Sequence, residues 1–355
     1  MLLVSGQGHV AGERTDAGVP RPEARHHGDR EAAPGMLDFA VNVRPGGPPP
    51  WLVERLAARL PGLGCYPGEA DLRAATVAVA RRHRVPEDHV LLLAGGSEGF
   101  ALLPALRPRR AVLLAPSFTE PEAVLTAAGL DVAHAVLAPP FRLAGAGVSE
   151  DADLVVVGNP TNPTGVLHPR EQVLALRRPG RLLVVDEAFA DAVPGEPESL
   201  AGLALPDVLV LRSLTKTWAL PGLRVGYALG DPAVLGRLSA ARGHWPLGTL
   251  QLEAIAACCA PDAVAEAGAA AHRVMALRGE MVAALSGLGL DVIDGRAPFV
   301  CFAVPDATLL RKRLRAAGIA VRRCDTFVGL GDGYLRAAVR PEWPALAAAI
   351  EEARR

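Results

Sequence analysis

The chain contains two lysines, and one of them occupies a position where an amine could act as a nucleophile. Of the 37 basic residues, 35 are arginines and the lysines are Lys216 and Lys312. Lys216 follows the apolar run 208–211 in a segment of small and apolar residues. Loss of solvation there would lower its pKa and make the amine a usable nucleophile. Lys312 has arginine neighbours on a predicted helix, so we expect it to face solvent.

Three further segments place polar or small residues directly after predicted strands. The loop 94–99 (AGGSEG) contains Gly96 and Ser97, and its small residues would let backbone N–H groups approach an anion. The loop 159–165 (NPTNPTG) has two Asn-Pro steps, which we expect to direct amide side chains, including that of Asn162, into a crevice. Asp186 ends an apolar run, where an acid is costly unless it meets a cation or several donors. A structural turn, a proline-rich loop and a helix cap are the respective alternatives.

Together these segments supply what pyridoxal 5'-phosphate (PLP) requires. Lys216 offers the amine for a Schiff base, and Asp186 offers the acid for the pyridinium nitrogen. The glycine-rich loop, Ser213 and Arg224 offer groups for the phosphate. Ligands in open α/β sheets bind beyond the carboxyl ends of the strands, where all these segments are predicted to lie. The sequence therefore predicts a PLP site.

The pattern of elements predicts an α/β fold with a mainly parallel, doubly wound sheet. Short apolar runs without in-and-out alternation suit strands that are covered on both faces. Predicted helices at 120–128 and 170–177 lie between the predicted strands, which are 90–93, 111–114, 154–157, 182–185 and 208–211.

After about residue 240 the pattern changes to that of a smaller α+β domain. We expect a helical stretch over 250–287, then strands near 298–304, 319–322 and 334–339, and a closing helix at 343–354. The predicted domains are an N-terminal arm that belongs to the small domain (1–44), a large PLP-binding domain (45–235) and a C-terminal small domain (236–355).

Composition excludes several function classes. The formal net charge is -1 and 21% of residues are charged, which argues against a nucleic acid partner. No apolar run approaches the ~18 residues of a membrane helix, so we expect no membrane association. The five cysteines are odd in number and lack CxxC spacing, so we expect reduced thiols, no metal site and a cytoplasmic location.

The chain resembles the fold-type I, class I/II aminotransferase superfamily from about residue 37 to residue 339. The resemblance rests on NPTNPTG (159–165), VVDEAF (184–189) and SLTKTWALPGLRVGY (213–227). It implies a Schiff base on Lys216, a pairing of Asp186 with the pyridine nitrogen, and a hydrogen bond from Asn162 to the ring 3'-oxygen. It further implies a phosphate site formed by Gly96, Ser97, Ser213 and Arg224.

The same resemblance implies three further contacts. Phe118 matches the aromatic residue that stacks on the cofactor ring. Tyr66 matches a tyrosine that reaches the phosphate in the neighbouring subunit, which implies a homodimer. Arg336 matches the arginine that binds the α-carboxylate of the substrate.

Narrower features are similar to the branch that contains the cobalamin-pathway threonine-phosphate decarboxylases. These are the segments HHGD (26–29), LDFAVN (37–42) and VRRCDTF (321–327), and Phe189 where most aminotransferases have tyrosine. His27 and Arg44 depart from that branch's pattern. The resemblance makes His26, Arg322 and Arg323 candidates for a substrate phosphate, and Arg336 and Asn42 candidates for its carboxylate.

We therefore expect decarboxylation of L-threonine O-3-phosphate to (R)-1-amino-2-propanol O-2-phosphate in cobalamin biosynthesis. The alternative is a PLP-dependent aminotransferase acting on histidinol phosphate or another amino acid. A PLP-binding regulator without turnover is disfavoured, because no basic helix-turn-helix pattern precedes residue 37. Which bond at the substrate Cα breaks stays open at this point.

Overall fold

The computed structural model describes residues 28–355, apart from the side chain of Asp29. Its strands are β1 (Leu37–Asp38), β2 (Val90–Leu93), β3 (Arg110–Ala115), β4 (Asp131–Val136), β5 (Leu154–Gly158), β6 (Leu182–Asp186), β7 (Val208–Ser213), β8 (Gly226–Leu229), β9 (Asp291–Val292), β10 (Phe299–Ala303), β11 (Ile319–Ala320), β12 (Arg322–Arg323) and β13 (Tyr334–Ala338).

Its α-helices are α1 (Pro50–Ala57), α2 (Glu69–His83), α3 (Gly96–Leu102), α4 (Glu120–Ala127), α5 (Arg170–Leu174), α6 (Pro232–Ala240), α7 (Thr249–Cys258), α8 (Pro261–Gly287), α9 (Ala307–Ala316) and α10 (Trp343–Ala353). Short 3-10 helices lie at Gly28–Arg30, Leu60–Gly64, Glu87–His89, Leu103–Leu106, Ala190–Ala192 and Gly331–Gly333.

The large sheet has seven strands in the order β2-β8-β7-β6-β5-β3-β4. Neighbouring strands are parallel except for β8, which runs antiparallel to both β2 and β7. The five strands predicted from apolar runs are confirmed, and the buried centre of the sheet explains why they lack alternation. The sequence did not single out β4 or β8. β4 is an edge strand with exposed ends, and β8 (GYAL) begins with glycine and lacks the unbroken aliphatic run of the equally short β2 (VLLL).

The C-terminal part has an antiparallel sheet in the order β12-β13-β10-β9. β1 pairs in parallel with β11, so the residues before Pro45 add to this part of the molecule. The predicted domain boundaries themselves stay a prediction. Two predicted helices need correction. The helical stretch 250–287 is two helices, because the chain bends before Pro261, and the helix from Arg170 ends at Leu174 rather than near 177.

Buried apolar side chains cover both faces of the large sheet. Along β6, Leu183 and Val185 pack on one face, while Val184 packs on the other. Another apolar cluster fills the C-terminal part around Phe302. Within residues 28–355, no single helix is long and apolar enough to cross a membrane; α7 and α8 reach that length and composition only as a pair bent by 69°.

Candidate active site

A cavity of about 500 Å³ lies where the carboxyl ends of the large sheet meet the C-terminal part. The structure brings eleven of the predicted site residues to its wall: Asn42, Gly96, Ser97, Phe118, Asn162, Asp186, Ser213, Lys216, Arg224, Arg322 and Arg336. These residues lie as far apart in sequence as 294 positions (336 − 42), yet they surround one volume. Arg323 and Tyr66 are not among the described residues that line it, and His26 lies outside the described residues.

One end of the cavity is rich in hydroxyl and guanidinium donors. The Arg224 guanidinium donates a hydrogen bond to the Ser97 hydroxyl at 2.8 Å, in the first turn of α3. Ser213 ends β7, and its hydroxyl is hydrogen bonded to that of Thr215, which the sequence analysis missed. A signal for Thr215 was available in the sequence, because it follows Ser213 by two residues beyond the same strand. This donor set suits a phosphate group.

The turn before α3 requires glycine. Gly95 has a φ of +85°, a backbone conformation that residues with a side chain rarely adopt. A Cβ added at Gly95 would lie 2.8 Å from Nη2 of Arg224, so it would displace that guanidinium. The close approach of backbone and arginine is therefore possible only because this residue lacks a side chain.

Asp186 lies at the carboxyl end of β6, between β5 and β7. Its carboxylate accepts a hydrogen bond of 3.0 Å from the backbone N–H of Ala188. Burial raises the pKa of Asp186 to about 6, while that N–H and the nearby ammonium of Lys216 act in the opposite direction. A cation placed beside Asp186 would restore its ionised form.

Lys216 extends into the same cavity from the turn that follows β7. Its backbone carbonyl accepts a hydrogen bond of 3.0 Å from the N–H of Arg44, which ties this turn to the N-terminal segment. Phe189 forms part of the wall and contacts Phe299 edge-on, with ring centroids 5.0 Å apart. Lys312, in contrast, is exposed on α9.

Arg336 and Asn162 are in direct contact. One nitrogen of the Arg336 guanidinium donates to the Asn162 side-chain oxygen, and another donates to the backbone carbonyl of Ala40 at 2.8 Å. Burial lowers the pKa of Arg336 to about 10, so the guanidinium is still cationic at neutral pH. A buried cation facing a cavity suits an anionic ligand group.

The two asparagines of NPTNPTG have different surroundings, which corrects the expectation that both face the crevice. Asn159 is buried and holds the loop closed: its side chain accepts from the His168 N–H at 2.8 Å and donates to the His168 carbonyl at 3.1 Å. Asn162 alone lines the cavity. Both ends of the Asn159 amide are satisfied within the loop, so its contribution is structural.

Arg322 and Arg323 also separate. Arg322 lines the cavity, donates to the Thr326 hydroxyl at 2.7 Å and lies 3.7 Å from the carboxylate of Glu31. Arg323 instead pairs with Asp325, with Nε 2.6 Å from Oδ1. Successive residues of a strand point to opposite faces, and both belong to β12. Arg323 is therefore not among the described residues that line this cavity, and its predicted contact with a substrate phosphate stays a prediction.

Asn42 presents an unpaired acceptor. The residue is 7% exposed, and within residues 28–355 its Oδ1 has no hydrogen-bond partner. A buried polar atom without a partner is costly, so a ligand donor in the cavity would relieve it. Gly28, Glu31 and Phe327, none of which was predicted as a site residue, lie at or next to this end of the cavity.

Tyr66 lies elsewhere on the chain. It is 74% exposed and stacks on Trp245, with ring centroids 4.3 Å apart. Its predicted contact with a neighbouring subunit concerns a second chain and stays a prediction.

The residues present fit PLP. The amine of Lys216, the buried acid Asp186 and the donors at Ser97, Ser213 and Arg224 line one cavity, as the chemistry of that cofactor requires. The aromatic walls at Phe118 and Phe189 suit a planar ring.

Known proteins agree with this assignment. The family model for aminotransferase class I and II matches residues 34–346. A histidinol-phosphate aminotransferase of Mycobacterium tuberculosis is 66% identical over 94% of this chain and 92% of its own length. A threonine-phosphate decarboxylase of Salmonella typhimurium is 32% identical over 86% of this chain and 87% of its own.

A solved structure shows the same fold. The crystal structure of the histidinol-phosphate aminotransferase from Clostridium acetobutylicum has a TM-score of 0.82 at 23% identity, covering 89% of this chain and 98% of that one. With the family match over most of the chain, the chain belongs to the class I and II aminotransferase family, and it is a PLP-dependent enzyme.

Proposed function

We propose that the protein is an aminotransferase that moves the amino group of histidinol phosphate to a 2-oxo dicarboxylic acid such as 2-oxoglutarate. The observation that carries this proposal is the 66% identity, over almost the whole chain, to a protein named histidinol-phosphate aminotransferase. This proposal adopts the alternative from the sequence and moves the decarboxylase expectation to second place.

The cavity supports a phosphorylated substrate and an acidic co-substrate. Arg322 and Arg336 are buried cations that line the same wall, and Asn42 adds an acceptor beside them. In an aminotransferase, one site must bind both partners in turn. Two guanidinium groups could bind the phosphate monoester in one half-reaction and the carboxylates of the co-substrate in the other.

The residues around the cofactor have separable tasks in this proposal. When bound, PLP supplies an electron sink for the bond that breaks at the amine-bearing carbon. Asp186 holds a proton at the ring nitrogen. Lys216 takes a proton from the substrate carbon as a general base and later returns one as an acid. Arg336 orients the substrate, and the apolar rings of Phe189 and Phe118 limit water at the reacting atoms.

Decarboxylation of threonine phosphate is the second candidate. Relatives named threonine-phosphate decarboxylase are 32% and 33% identical to this chain. A substrate with both a carboxylate and a phosphate would engage Arg336 and Arg322 at once, which is the observation that favours this candidate. Phe189 in place of tyrosine also matches the decarboxylase branch.

Two incubations of the PLP-loaded protein decide between the candidates. In the first, histidinol phosphate and 2-oxoglutarate are mixed with the enzyme and glutamate is measured. In the second, L-threonine O-3-phosphate is added without any oxo acid, and carbon dioxide and aminopropanol phosphate are followed by mass spectrometry. We expect turnover in the first only. Turnover in the second only would overturn the aminotransferase proposal in favour of the lyase.

We further propose that the active assembly is a homodimer in which Tyr66 reaches the phosphate of the neighbouring site. Tyr66 and its stacking partner Trp245 are exposed by 74% and 57%, which is unusual for two large aromatic side chains in contact.

A further inference from the structure

A buried cluster of charged residues lies directly behind the cofactor contacts. Glu187 follows Asp186, and Arg212 precedes Ser213. Alternation along β7 points Arg212 to the face opposite Ser213. Glu187, just beyond the end of β6, contacts Arg212 there, and neither is among the described residues that line the cavity. Both are 1% exposed.

Glu187 and Arg212 are joined directly. The Arg212 guanidinium donates to the Glu187 carboxylate at 2.9 Å. The other hydrogen bonds of Glu187 come from the Ser199 hydroxyl at 2.6 Å and the Leu200 N–H at 2.7 Å. Each oxygen of this buried carboxylate is therefore used, and its position is determined from three directions.

The remaining members extend the cluster to α2. Arg212 also donates to Asp191 and, at 2.6 Å, to Glu196. Arg82 on α2 donates to Asp191 at 2.9 Å and to Glu196 at 3.1 Å. Burial disfavours the charge on Arg212, but the surrounding carboxylates raise its pKa well above the ordinary value. Arg212 is therefore a buried cation that is paired with three carboxylates.

The position of this cluster suggests what it does. The carboxyl ends of β6 and β7 carry the acid for the pyridine nitrogen and a hydroxyl for the phosphate. Within residues 28–355, no hydrogen bond joins the side chains of Asp186 and Ser213 on the cavity face. Across the strands, the Glu187 N–H donates to the Leu211 carbonyl at 2.9 Å. The Glu187–Arg212 ion pair adds a side-chain link between β6 and β7, one residue beyond their last paired residues, Asp186 and Leu211.

We propose that Glu187 and Arg212 are positioning residues that fix the spacing of Asp186 and Ser213 and thereby set the affinity for PLP. A buried ion pair is weak evidence for a gain in stability, because desolvation offsets much of its attraction. Here the ion pair acts through geometry. The planar guanidinium of Arg212 is held by three carboxylates, which limits the relative movement of the two strand ends. The proposal does not depend on which amino substrate the enzyme takes.

The test measures cofactor release from the holoenzyme, separately from thermal stability. Arg212→Lys keeps the charge but loses the fork, and Glu187→Gln keeps the size but loses the charge. Each variant is loaded with PLP, and the loss of the cofactor's visible absorbance is followed during dilution well below the melting temperature. We expect release to be about 10-fold faster, by analogy with residues that orient metal ligands, whose loss costs about 10- to 100-fold in metal affinity.

A matched control is available on the same strand. Arg177 pairs with Asp207 at 2.7 Å, and Asp207 directly precedes β7 at its amino end, away from the cavity. Arg177→Met removes an ion pair that anchors the same strand, and its release rate should equal that of the wild type. Should either cluster variant fail to fold, Ser199→Ala is a milder change that keeps both charges of the pair. It removes the hydroxyl that donates to Glu187 and accepts from Ala201 N–H and Arg212, and it should still speed release.

The outcomes are distinct. Faster release in the cluster variants with an unchanged rate in Arg177→Met supports the positioning role. Lower melting temperatures in Arg212→Lys and Glu187→Gln, with wild-type release rates, would show that the cluster only stabilises the fold and would overturn the proposal. Failure of both substrate incubations would leave this measurement unaffected.

Discussion

Lys216 and Lys312 differ in environment rather than in chemistry. Lys216 lines the cavity close enough to Asp186 to influence the pKa of that carboxyl, whereas Lys312 is exposed on α9. An amine in the same cavity as the carboxylate for the ring nitrogen can form the Schiff base with PLP, whereas an exposed amine between arginines cannot.

This contrast gives a first prediction. Treatment of the holoenzyme with borohydride, followed by peptide mass spectrometry, should place a pyridoxyl group on Lys216. Lys216→Ala should lose the label and at least about 100-fold of its turnover, because the proton transfers at the substrate carbon lose their general base. Lys312→Ala is the matched control and should keep both. A label on Lys312 in the wild type would refute the assignment.

Asp186 gives a second prediction at the same scale. Its pKa is about 6 in the folded protein and 3.8 in its ordinary state, so between these values the folded protein binds more protons than the unfolded one. Asp186 therefore contributes at most about 3 kcal/mol to the free energy of unfolding. This contribution is fully present below about pH 4 and is lost as the pH rises through about 6.

Urea unfolding of the cofactor-free protein at a series of pH values checks this expectation. The wild type should lose stability relative to Asp186→Asn between about pH 4 and pH 6, because asparagine does not ionise. Parallel curves for the two proteins over that range would show that Asp186 does not titrate as expected.

At the scale of elements, the turn between β2 and α3 brings backbone and Arg224 together. Gly95→Ala should destabilise the protein by about 1–3 kcal/mol, because the conformation at Gly95 is one that alanine rarely adopts. It should also weaken PLP binding by about 10- to 100-fold, because the new Cβ displaces the Arg224 guanidinium from the phosphate end.

Gly129→Ala separates these two effects. Gly129 also has a positive φ, +74°, but a Cβ there meets nothing within 4 Å. We expect a loss of stability with unchanged PLP affinity, measured by chemical denaturation and by cofactor titration. Equal losses of affinity in both variants would mean that backbone strain, and not displacement of Arg224, weakens the site.

At the scale of the whole molecule, the proposed homodimer can be tested by mixing defects. Tyr66→Ala should lower the PLP affinity of the site in the neighbouring subunit, whereas Lys216→Ala should abolish turnover at the site of its own subunit. A mixed dimer contains one site with an intact Lys216 from one subunit and an intact Tyr66 from its partner. Mixing the two variants should therefore restore turnover at limiting PLP above that of Tyr66→Ala alone. No gain on mixing would show that Tyr66 does not serve a neighbouring site.

The amino-acid sequence by itself determined the type of chemistry and most of the elements. A single lysine in an apolar setting, an acid after a buried strand and a glycine-rich turn specify the cofactor, because those groups have few other reasons to occur in that order. The central strands were predictable because strands covered on both faces must be apolar throughout. β8 was not predictable because its residues, GYAL, form no unbroken aliphatic run, and the bend before Pro261 was not because a short break leaves little trace in periodicity.

The tertiary structure decided which polar residues face the cavity. Asn159 and Asn162 belong to one repeated pattern, yet only Asn162 lines the cavity, since the loop uses Asn159 for its own hydrogen bonds. Arg322 and Arg323 are adjacent and identical in chemistry, and the alternation of β12 sends only Arg322 inward. Residue type determines what a side chain can do, whereas its direction depends on packing between segments that are distant in the chain.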